Sequence, residues 1–165
     1  MGWYNCHLYQ FELPGELILV ETSEEVEEYS WMNEMPTYDG RPRLRKTYRL
    51  SKNVKVDKYV KVGQSIPYVY DMGDYWEHVI TFEKGIDNYP NVYPVCLEGE
   101  GACPPEDCGG VPGYLELLEI IKNPTHEEHE HVIEWLKENE YESSFNLEET
   151  NWWMKEGLKL KRPKK

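Results

Sequence analysis

The alternation of apolar and polar residues predicts strands in the first half of the chain and helices in the second. Residues 4–12 alternate in the manner of a strand, and a Pro14-Gly15 turn separates them from an apolar run. Two segments rich in β-branched and aromatic residues flank the turn-forming Met72-Gly73-Asp74, which predicts a hairpin. The predicted strands span residues 4–12, 16–21, 66–71, 76–83 and 92–98.

Capping signatures predict where three of the helices begin, because each places an N-cap residue three positions before a Glu. These pairs are Thr22 with Glu25, Thr125 with Glu128, and Asn146 with Glu149. The first pair would start a short acidic helix or a turn. The second of these helices extends to about Asn139, and the last carries Trp152 and Trp153. A further amphipathic helix over 113–122 ends at Asn123-Pro124.

The succession of strands and then helices indicates an α+β fold, a largely antiparallel sheet with the C-terminal helices packed on one face. The stretch at 46–56 fits either a helix or a strand, and the segments at 33–43 and 99–113 are predicted loops. A chain of 165 residues is one domain long. We expect a single domain over 1–158 and a disordered basic tail over 159–165.

No window approaches the roughly 18–20 consecutive apolar residues that a membrane helix requires, and the first residues lack the regions of a signal peptide. We therefore expect a cytoplasmic protein with no membrane partner. In that compartment the four cysteines are expected to be reduced thiols, so metal binding or simple burial is their expected role.

The net charge of −13 opposes nonspecific attraction to a phosphate backbone, but the charges are strongly segregated. Residues 41–61 hold nine basic residues against Asp57 alone, whereas residues 16–34 hold seven Glu and no Lys or Arg. We favour the interpretation that the basic stretch neutralises its acidic neighbour. Binding of nucleic acid through residues 41–61 is the alternative.

Two short stretches concentrate ligating side chains: YDMGDYWEH at 70–78 and CPPEDCGG at 103–110. Three thiolates and one imidazole would form a closed, tetrahedral, structural zinc site. The candidate ligands are Cys96, Cys103, Cys108 and His78. Their spacing differs from paired C-x-x-C knuckles, so the simpler interpretation is that the thiols pack as small apolar groups and that the histidine is an ordinary strand residue.

Carboxylates in the same two stretches offer oxygen ligands for magnesium, or a pair of groups for proton transfer. The catalytic candidates are Asp71, Asp74, Glu106 and Asp107. The interpretation that we favour is that aspartates beside glycines fix tight turns by accepting hydrogen bonds from backbone amides. The glycine-rich loop lacks the Lys-Ser/Thr ending of a phosphate-binding loop, and the chain has no G-x-S-x-G nucleophile elbow.

The chain resembles the family named after the third open reading frame of a root-inducing plasmid, in YVYDMGDYWEHVITFE followed by YPVCLEGEGACPPEDCGGVPGYLELLEIIKNP. The resemblance extends to GWYNCHLYQFEL and FNLEETNWWM, and so to nearly the whole chain. It implies an α+β domain with a transposon-passenger or "TnpR-like" label, associated with mobile elements and DNA-binding modules. The chain contains no serine-recombinase signature that would support a resolvase activity.

One departure from the family concerns the beginning of the chain. The family usually begins with a further strand and a helix that carries a Trp-Arg element, whereas this chain starts at Met1, where that helix would be ending. Either the chain is a shortened member of the family or its start was assigned too late. If the element is absent, a sheet edge and apolar surface are uncovered, which predicts a homo-oligomer formed through that edge.

The function that we favour is a noncatalytic interaction module whose hairpin bend near residue 73 lies in contact with the diproline segment near residue 105. Its acidic residues would select a protein or a small cationic ligand, and its rings would supply contact area. The aromatic rim would comprise Tyr70, Tyr75, Trp76 and Tyr114. The alternatives are a metal-dependent hydrolase, with His78 beside the carboxylates, and a nucleic-acid-associated protein. Zinc is the candidate cofactor.

Overall fold

A computed structural model describes residues 2–41 and 43–158 of the chain. The chain divides into two compact units, Asn5–Gly85 and a second made of Met1–Tyr4 with Ile86–Lys165. Each unit has its own secondary structure and its own core, and each is described below by itself. The predicted basic tail over 159–165 lies outside the described residues.

The first unit is built on a five-stranded sheet with the strand order β3-β2-β1-β4-β5. The strands are β1 (Tyr9–Leu13), β2 (Leu17–Val20), β3 (Thr47–Leu50), β4 (Ser65–Tyr70) and β5 (Trp76–Thr81). Three of the four neighbouring pairs are antiparallel, and only β2 and β3 run parallel. The predicted α+β class and the largely antiparallel sheet are confirmed, and so is the hairpin of β4 and β5.

The parallel pair follows from the helix between its strands. After β2 the chain forms α1 (Ser23–Met32) and returns along a loop to β3, and α1 packs on β3. A crossover of this kind is what allows consecutive strands to run parallel. The stretch at 46–56, for which the sequence fits either a helix or a strand, contains the edge strand β3 and a short 3-10 turn, Ser51–Asn53. A second 3-10 turn, Val56–Lys58, begins at its last residue.

The core of this unit lies on one face of the sheet, where alternate residues of the strands meet the segment that follows β3. Leu13, Leu19 and Ile66 are among its buried residues. The covering segment contributes buried Val60, with Val54, Val56 and Tyr59 packed around it. The lysines interspersed among these residues, at 52, 55, 58 and 61, are all exposed. Apolar anchoring of this segment thus leaves its cations in solvent.

Helix α1 begins with the reciprocal capping box that the sequence predicts. The Thr22 hydroxyl accepts from the Glu25 amide at 3.2 Å, and the Glu25 carboxylate accepts from the Thr22 amide at 3.0 Å. Glu25 is buried, with only 5% of its surface exposed. Burial of this carboxylate fixes the entry of the chain into α1.

In its described residues, the second unit contains three helices: α2 (Gly110–Lys122), α3 (His129–Glu138) and α4 (Leu147–Gly157). Its small core is formed by Ile120, Val132 and Leu136, with Trp135 and Tyr141 packed against them. The Asn146 side chain caps α4 by accepting from the Glu149 amide, as the sequence predicts. The packing of these helices on the sheet stays a prediction.

Two sequence predictions in the second unit are wrong. Residues 92–98 form no strand; instead Asn151 of α4 satisfies both backbone groups of Cys96, accepting from its amide and donating to its carbonyl, each at 2.9 Å. The Thr125–Glu128 capping box does not form, because Thr125 bonds to Asn123 and α3 begins later, after Glu128. The Asn151 side chain thus takes the place of a neighbouring strand for Cys96, and the Asn123 side chain takes the place of the Glu128 amide for Thr125.

None of the helices in the described part of the chain combines the length and the apolar character needed to cross a membrane.

Candidate functional site

The hairpin bend of the first unit is held by Asp71. This carboxylate accepts from the Gly73 amide at 2.8 Å, the Asp71 residue has a left-handed backbone with φ of 59°, and its carbonyl accepts from the Tyr75 amide at 2.7 Å. Asp71 is also buried, with 6% exposure. The interpretation of Asp71 as a turn-forming residue is therefore confirmed. Its role as a catalytic acid or base, like that of Asp74, stays a prediction.

Two histidines border this hairpin. His78 lies on β5 opposite Tyr68, with ring centroids 5.3 Å apart. The His7 ring packs edge-on against Tyr70, and its Nδ1 lies 3.8 Å from the second carboxylate oxygen of Asp71. The Asp71 carboxylate thus lies beside the His7 imidazole, whereas His78 packs against Tyr68 farther along the strand pair.

The predicted aromatic rim divides by exposure. Tyr70 and Trp76 are buried, at 2% and 8% exposure, so they offer little contact area, whereas Tyr75 is half-exposed at 51%. In the second unit Tyr114 is partly buried, and its hydroxyl lies 3.2 Å from that of Tyr141. That these rings bind a partner stays a prediction.

The second motif is tied to the start of the chain within its own unit. The Trp3 indole donates to the Pro104 carbonyl at 2.8 Å, and the Tyr4 amide donates to the Glu106 carboxylate at the same distance. Glu106 is 9% exposed. This carboxylate therefore has a structural task in holding residues 2–4, and catalytic roles for Glu106 and for exposed Asp107 stay predictions.

None of the four cysteines is joined in a disulfide in the described part of the chain. Cys96 donates to the Glu98 carbonyl at 3.2 Å and Cys108 to that of Gly110 at 3.9 Å. Burial raises the pKa of the Cys103 thiol, and the Gly2 backbone opposes this shift. Among the described residues, no group of three ligand atoms within 4.8 Å of one another includes these three cysteines together. Zinc binding by Cys96, Cys103, Cys108 and His78 stays a prediction, checked by metal analysis of protein purified without tags or chelators.

The basic stretch of the first unit comprises the loop before β3, the edge strand β3 itself and the segment after it that covers the sheet. We call residues 41–61, apart from Pro42, the basic edge, since they include the edge strand β3. Of its nine cations, all but Lys46 are exposed. Arg41 lies 3.2 Å from Asp39 and Lys46 lies 3.5 Å from Glu12.

The acidic neighbour does not pair with these cations. Among the described residues, no ion pair joins a cation of the basic edge to any of the seven Glu of residues 16–34. Arg49 instead donates to the Tyr59 hydroxyl at 3.3 Å. The described residues thus show no direct ion pairing between the two stretches, and neutralisation of the basic stretch by 16–34 over longer distances, the interpretation that the sequence favours, stays a prediction. Most of the basic edge presents its charge to solvent.

Two cavities adjoin the basic edge, both lined by residues of α1 and β3. The first, of about 420 Å³, is the Arg43 cavity, and the second, of about 400 Å³, is the Arg49 cavity. Tyr48 lines both. The Arg43 cavity combines cations with aromatic and apolar walls: Arg41, Arg43, Lys46, Tyr29, Tyr48, Met32 and Leu44. No local sequence motif marks this cavity, because its walls come from a helix, a loop and a strand.

The loop that closes the Arg43 cavity is fixed by hydrogen bonds at both ends. Asn33, after the end of α1, donates to the Lys46 carbonyl at 2.6 Å and accepts from the Lys46 amide at 3.4 Å. The Thr37 amide donates to the Arg41 carbonyl at 2.9 Å, and the Thr37 hydroxyl donates to the Asp39 carboxylate and to the same carbonyl. These bonds order the loop that carries Arg41.

Two ionisable groups in the cavity have shifted pKa values. The hydrogen bond from Thr37, with that from the Arg41 backbone, lowers the pKa of Asp39, so this carboxylate stays ionised and balances part of the local positive charge. Burial, together with the nearby charges of Glu25 and Glu28, raises the pKa of Tyr29. The cavity is thus lined by three basic side chains, one carboxylate and two phenols.

The fold and the basic edge define a small α+β protein with a mixed sheet and a basic edge strand. A family model described as "Plasmid pRiA4b ORF-3-like protein" matches residues 1–151. The chain belongs to this family.

Two similar proteins extend this comparison. The chain is 34% identical over 144 residues to the "Uncharacterized protein y4hQ" of Sinorhizobium fredii. The aligned region covers 87% of this chain and 66% of that relative. The chain thus spans just under two thirds of the length of that relative. The structure of this chain is similar to the crystal structure of the "Protein of Unknown Function MM3350" from Methanosarcina mazei Go1, with a TM-score of 0.66 and 26% sequence identity. The superposition covers 90% of this chain and 75% of that chain. These descriptions name no ligand and no reaction.

Proposed function

We propose that the protein is a noncatalytic binding module that binds the phosphate backbone of nucleic acid through its basic edge. The observation that carries this proposal is the exposure of the cations in residues 41–61, most of which have no acidic partner among the described residues. Ion pairs would be the simplest structural use of so many cations, and within the described ranges Arg41 and Lys46 are the two cations of the basic edge that have them. An external polyanion is the partner that the remaining charges fit.

The arrangement of the lysines supports contact with an extended anion. Lys52 lies in the first 3-10 turn, Lys55 in the extended backbone between the two turns and Lys58 at the end of the second, and all three are exposed. The apolar residues between them are packed into the core, so the lysines are displayed on an anchored segment. Ammonium groups displayed along one segment would contact backbone phosphates without selecting a base sequence.

The net charge of −13 sets the conditions under which such binding occurs. Repulsion from the acidic surface lowers the overall affinity, and release of counterions from the nucleic acid supplies much of the favourable free energy. We therefore expect binding at low ionic strength that weakens steeply as salt is added. Binding by shape or by base recognition alone would lack this steep dependence.

The test is fluorescence anisotropy of labelled duplex DNA and of its separated strands, titrated with protein over a range of salt concentrations. Each phosphate contact contributes about −0.9 to the slope of log affinity against log salt for duplex DNA. The triple variant Lys52→Ser, Lys55→Ser, Lys58→Ser should therefore lower the magnitude of the slope by up to about 3. It should also weaken binding on all sequences alike.

The matched control removes three cations elsewhere. Lys84→Ser, Lys122→Ser, Lys137→Ser changes the net charge equally, and these lysines lie outside the basic edge. The control should keep nearly the parent slope. An equal loss in both triple variants, or no binding by the parent at about 20 mM salt, overturns the proposal.

A further inference from the structure

We infer that the Arg43 cavity is a site for one nucleotide, holding a base against its tyrosine rings and a phosphate against its cations. This inference rests on the proposed function, because the nucleotide that enters the cavity would be one unstacked nucleotide of the bound nucleic acid. It also predicts a measurable property of its own, the binding of free mononucleotides.

The size of the cavity suits this ligand. Its volume of about 420 Å³ lies within the usual range of roughly 300–1,000 Å³ for small-molecule sites. The cavity opens at the surface of the first unit and lies wholly within that unit, between α1, the loop after it and β3. An inorganic anion alone would fill little of this space.

The walls fit the flat, apolar part of a nucleotide. The rings of Tyr29 and Tyr48 pack against each other, with centroids 5.2 Å apart and an interplanar angle of 36°, so a base would stack on the outer face of one ring and not between them. Met32 and Leu44 add apolar surface. Aromatic side chains bind bases by stacking, with little preference among base types. Tyr48 also lines the Arg49 cavity, so a neighbouring nucleotide has a second cavity beside the first.

The charges fit the phosphate. Arg43 makes no ion pair among the described residues and lines the cavity, and its planar guanidinium matches two phosphate oxygens. Arg41 is engaged by Asp39 and Lys46 by Glu12. Arg43 is therefore the cation most available to an entering phosphate. The two hydrogen bonds between Asn33 and Lys46 hold the ends of the loop together in the absence of a ligand.

The experiment titrates the full chain with adenosine 5′-monophosphate, with adenosine and with inorganic phosphate, by calorimetry and by chemical-shift mapping. We expect saturable binding of the monophosphate with a Kd below about 1 mM and shifts centred on residues 29–48. Adenosine and phosphate should each bind at least about tenfold more weakly, because each engages only one half of the site.

A matched pair of substitutions tests the assignment of Arg43. Arg43→Ser should weaken binding of the monophosphate roughly tenfold, since it removes a charged hydrogen-bond donor pair. Arg45→Ser changes the same charge at an exposed neighbour that does not line the cavity, and should change affinity less than about twofold. The chemical-shift spectra also report whether each variant keeps the parent fold.

The outcomes separate this inference from the proposed function. Binding of DNA without saturable binding of the monophosphate, or equal losses in Arg43→Ser and Arg45→Ser, overturns the nucleotide site and leaves the basic edge standing. Binding of the monophosphate at residues 29–48 by a protein that binds no DNA overturns the proposed function and leaves the cavity as a mononucleotide site.

Discussion

Gly113 lies directly against the carbonyl oxygen of Cys108, so closely that a β-carbon at Gly113 would be 1.9 Å from that oxygen. The loop that contains Pro104 and Glu106 thereby folds back on the first turn of α2. Gly109 and Gly110 supply the left-handed backbone, with φ of 87° and 66°, that turns the loop into the helix. Three glycines thus make the joint between the loop and the helix.

Substitution of Gly113 by Ala should destabilise the protein by about 3 kcal/mol or more, because a backbone oxygen cannot move aside as a flexible side chain can. Gly157, in the last turn of α4, is the matched control, since nothing lies within 4 Å of a β-carbon there. Gly157→Ala should be neutral or stabilising by up to about 1 kcal/mol. Urea unfolding of both variants measures the difference, and similar effects would contradict it.

Replacement of Asn151 tests how the segment at 92–98 is held. Asn151→Ala removes both hydrogen bonds to the Cys96 backbone and should cost about 1–3 kcal/mol. Asn151→Asp should cost at least as much, because a carboxylate oxygen would then face the Cys96 carbonyl. Glu148→Ala, at an exposed position on the same helix, should change the free energy of unfolding by less than about 0.5 kcal/mol. Full stability in Asn151→Asp would contradict this arrangement.

The capping box of α1 predicts that the hydroxyl oxygen of Thr22 contributes to the stability of the protein. Thr22→Ala should lower the free energy of unfolding by about 1 kcal/mol, because the Glu25 amide loses its acceptor. Thr22→Ser keeps the hydroxyl and should retain most of the parent stability. Chemical denaturation of the two variants distinguishes this result from a general intolerance of substitution at residue 22.

Stability should fall at alkaline pH through Tyr141. Burial, followed by the hydrogen bond with Tyr114, raises the pKa of Tyr141 above its ordinary value of 10.0. The folded chain therefore keeps this proton to higher pH than the unfolded chain, so the free energy of unfolding falls as pH rises above about 10. Below that pH the contribution is fully present.

Tyr141→Phe should make this alkaline decline shallower, although loss of the hydrogen bond should cost about 1 kcal/mol at neutral pH. Tyr38→Phe, at a fully exposed ring, should leave the pH dependence unchanged. Denaturant unfolding between about pH 8 and 11.5 gives the slopes. Identical slopes for the parent and Tyr141→Phe would count against the prediction.

Thiol reactivity should follow exposure and protonation. Cys6 is exposed, whereas Cys103 is partly buried and burial raises its thiol pKa. Because the thiolate is the reactive form, an alkylating reagent near pH 8 should modify Cys6 several-fold faster than Cys103. Peptide mapping over time measures both rates. Faster modification of Cys103 would contradict the shift.

Local sequence signals predicted the elements whose causes are local. The capping residues Thr22 and Asn146 bond to amides three positions away, and the bend at Asp71 bonds to Gly73, so each bond is encoded within a few residues. The apolar pattern likewise gave the hairpin and the α+β class. Where the bonding partner was distant, prediction failed: the backbone of Cys96 meets a side chain 55 residues away rather than a strand.

The sequence by itself determined the segregation of charge, the starts of α1 and α4 and the hairpin, because residue spacing and side-chain chemistry act over one or two turns of chain. Only the tertiary structure decided that the cations of residues 41–61 stay unpaired with the acidic stretch, and that Arg43 and Tyr29 line one cavity. Ion pairs and cavities depend on distances across the β2-α1-β3 crossover. Those distances follow from packing and leave no periodic trace in the sequence.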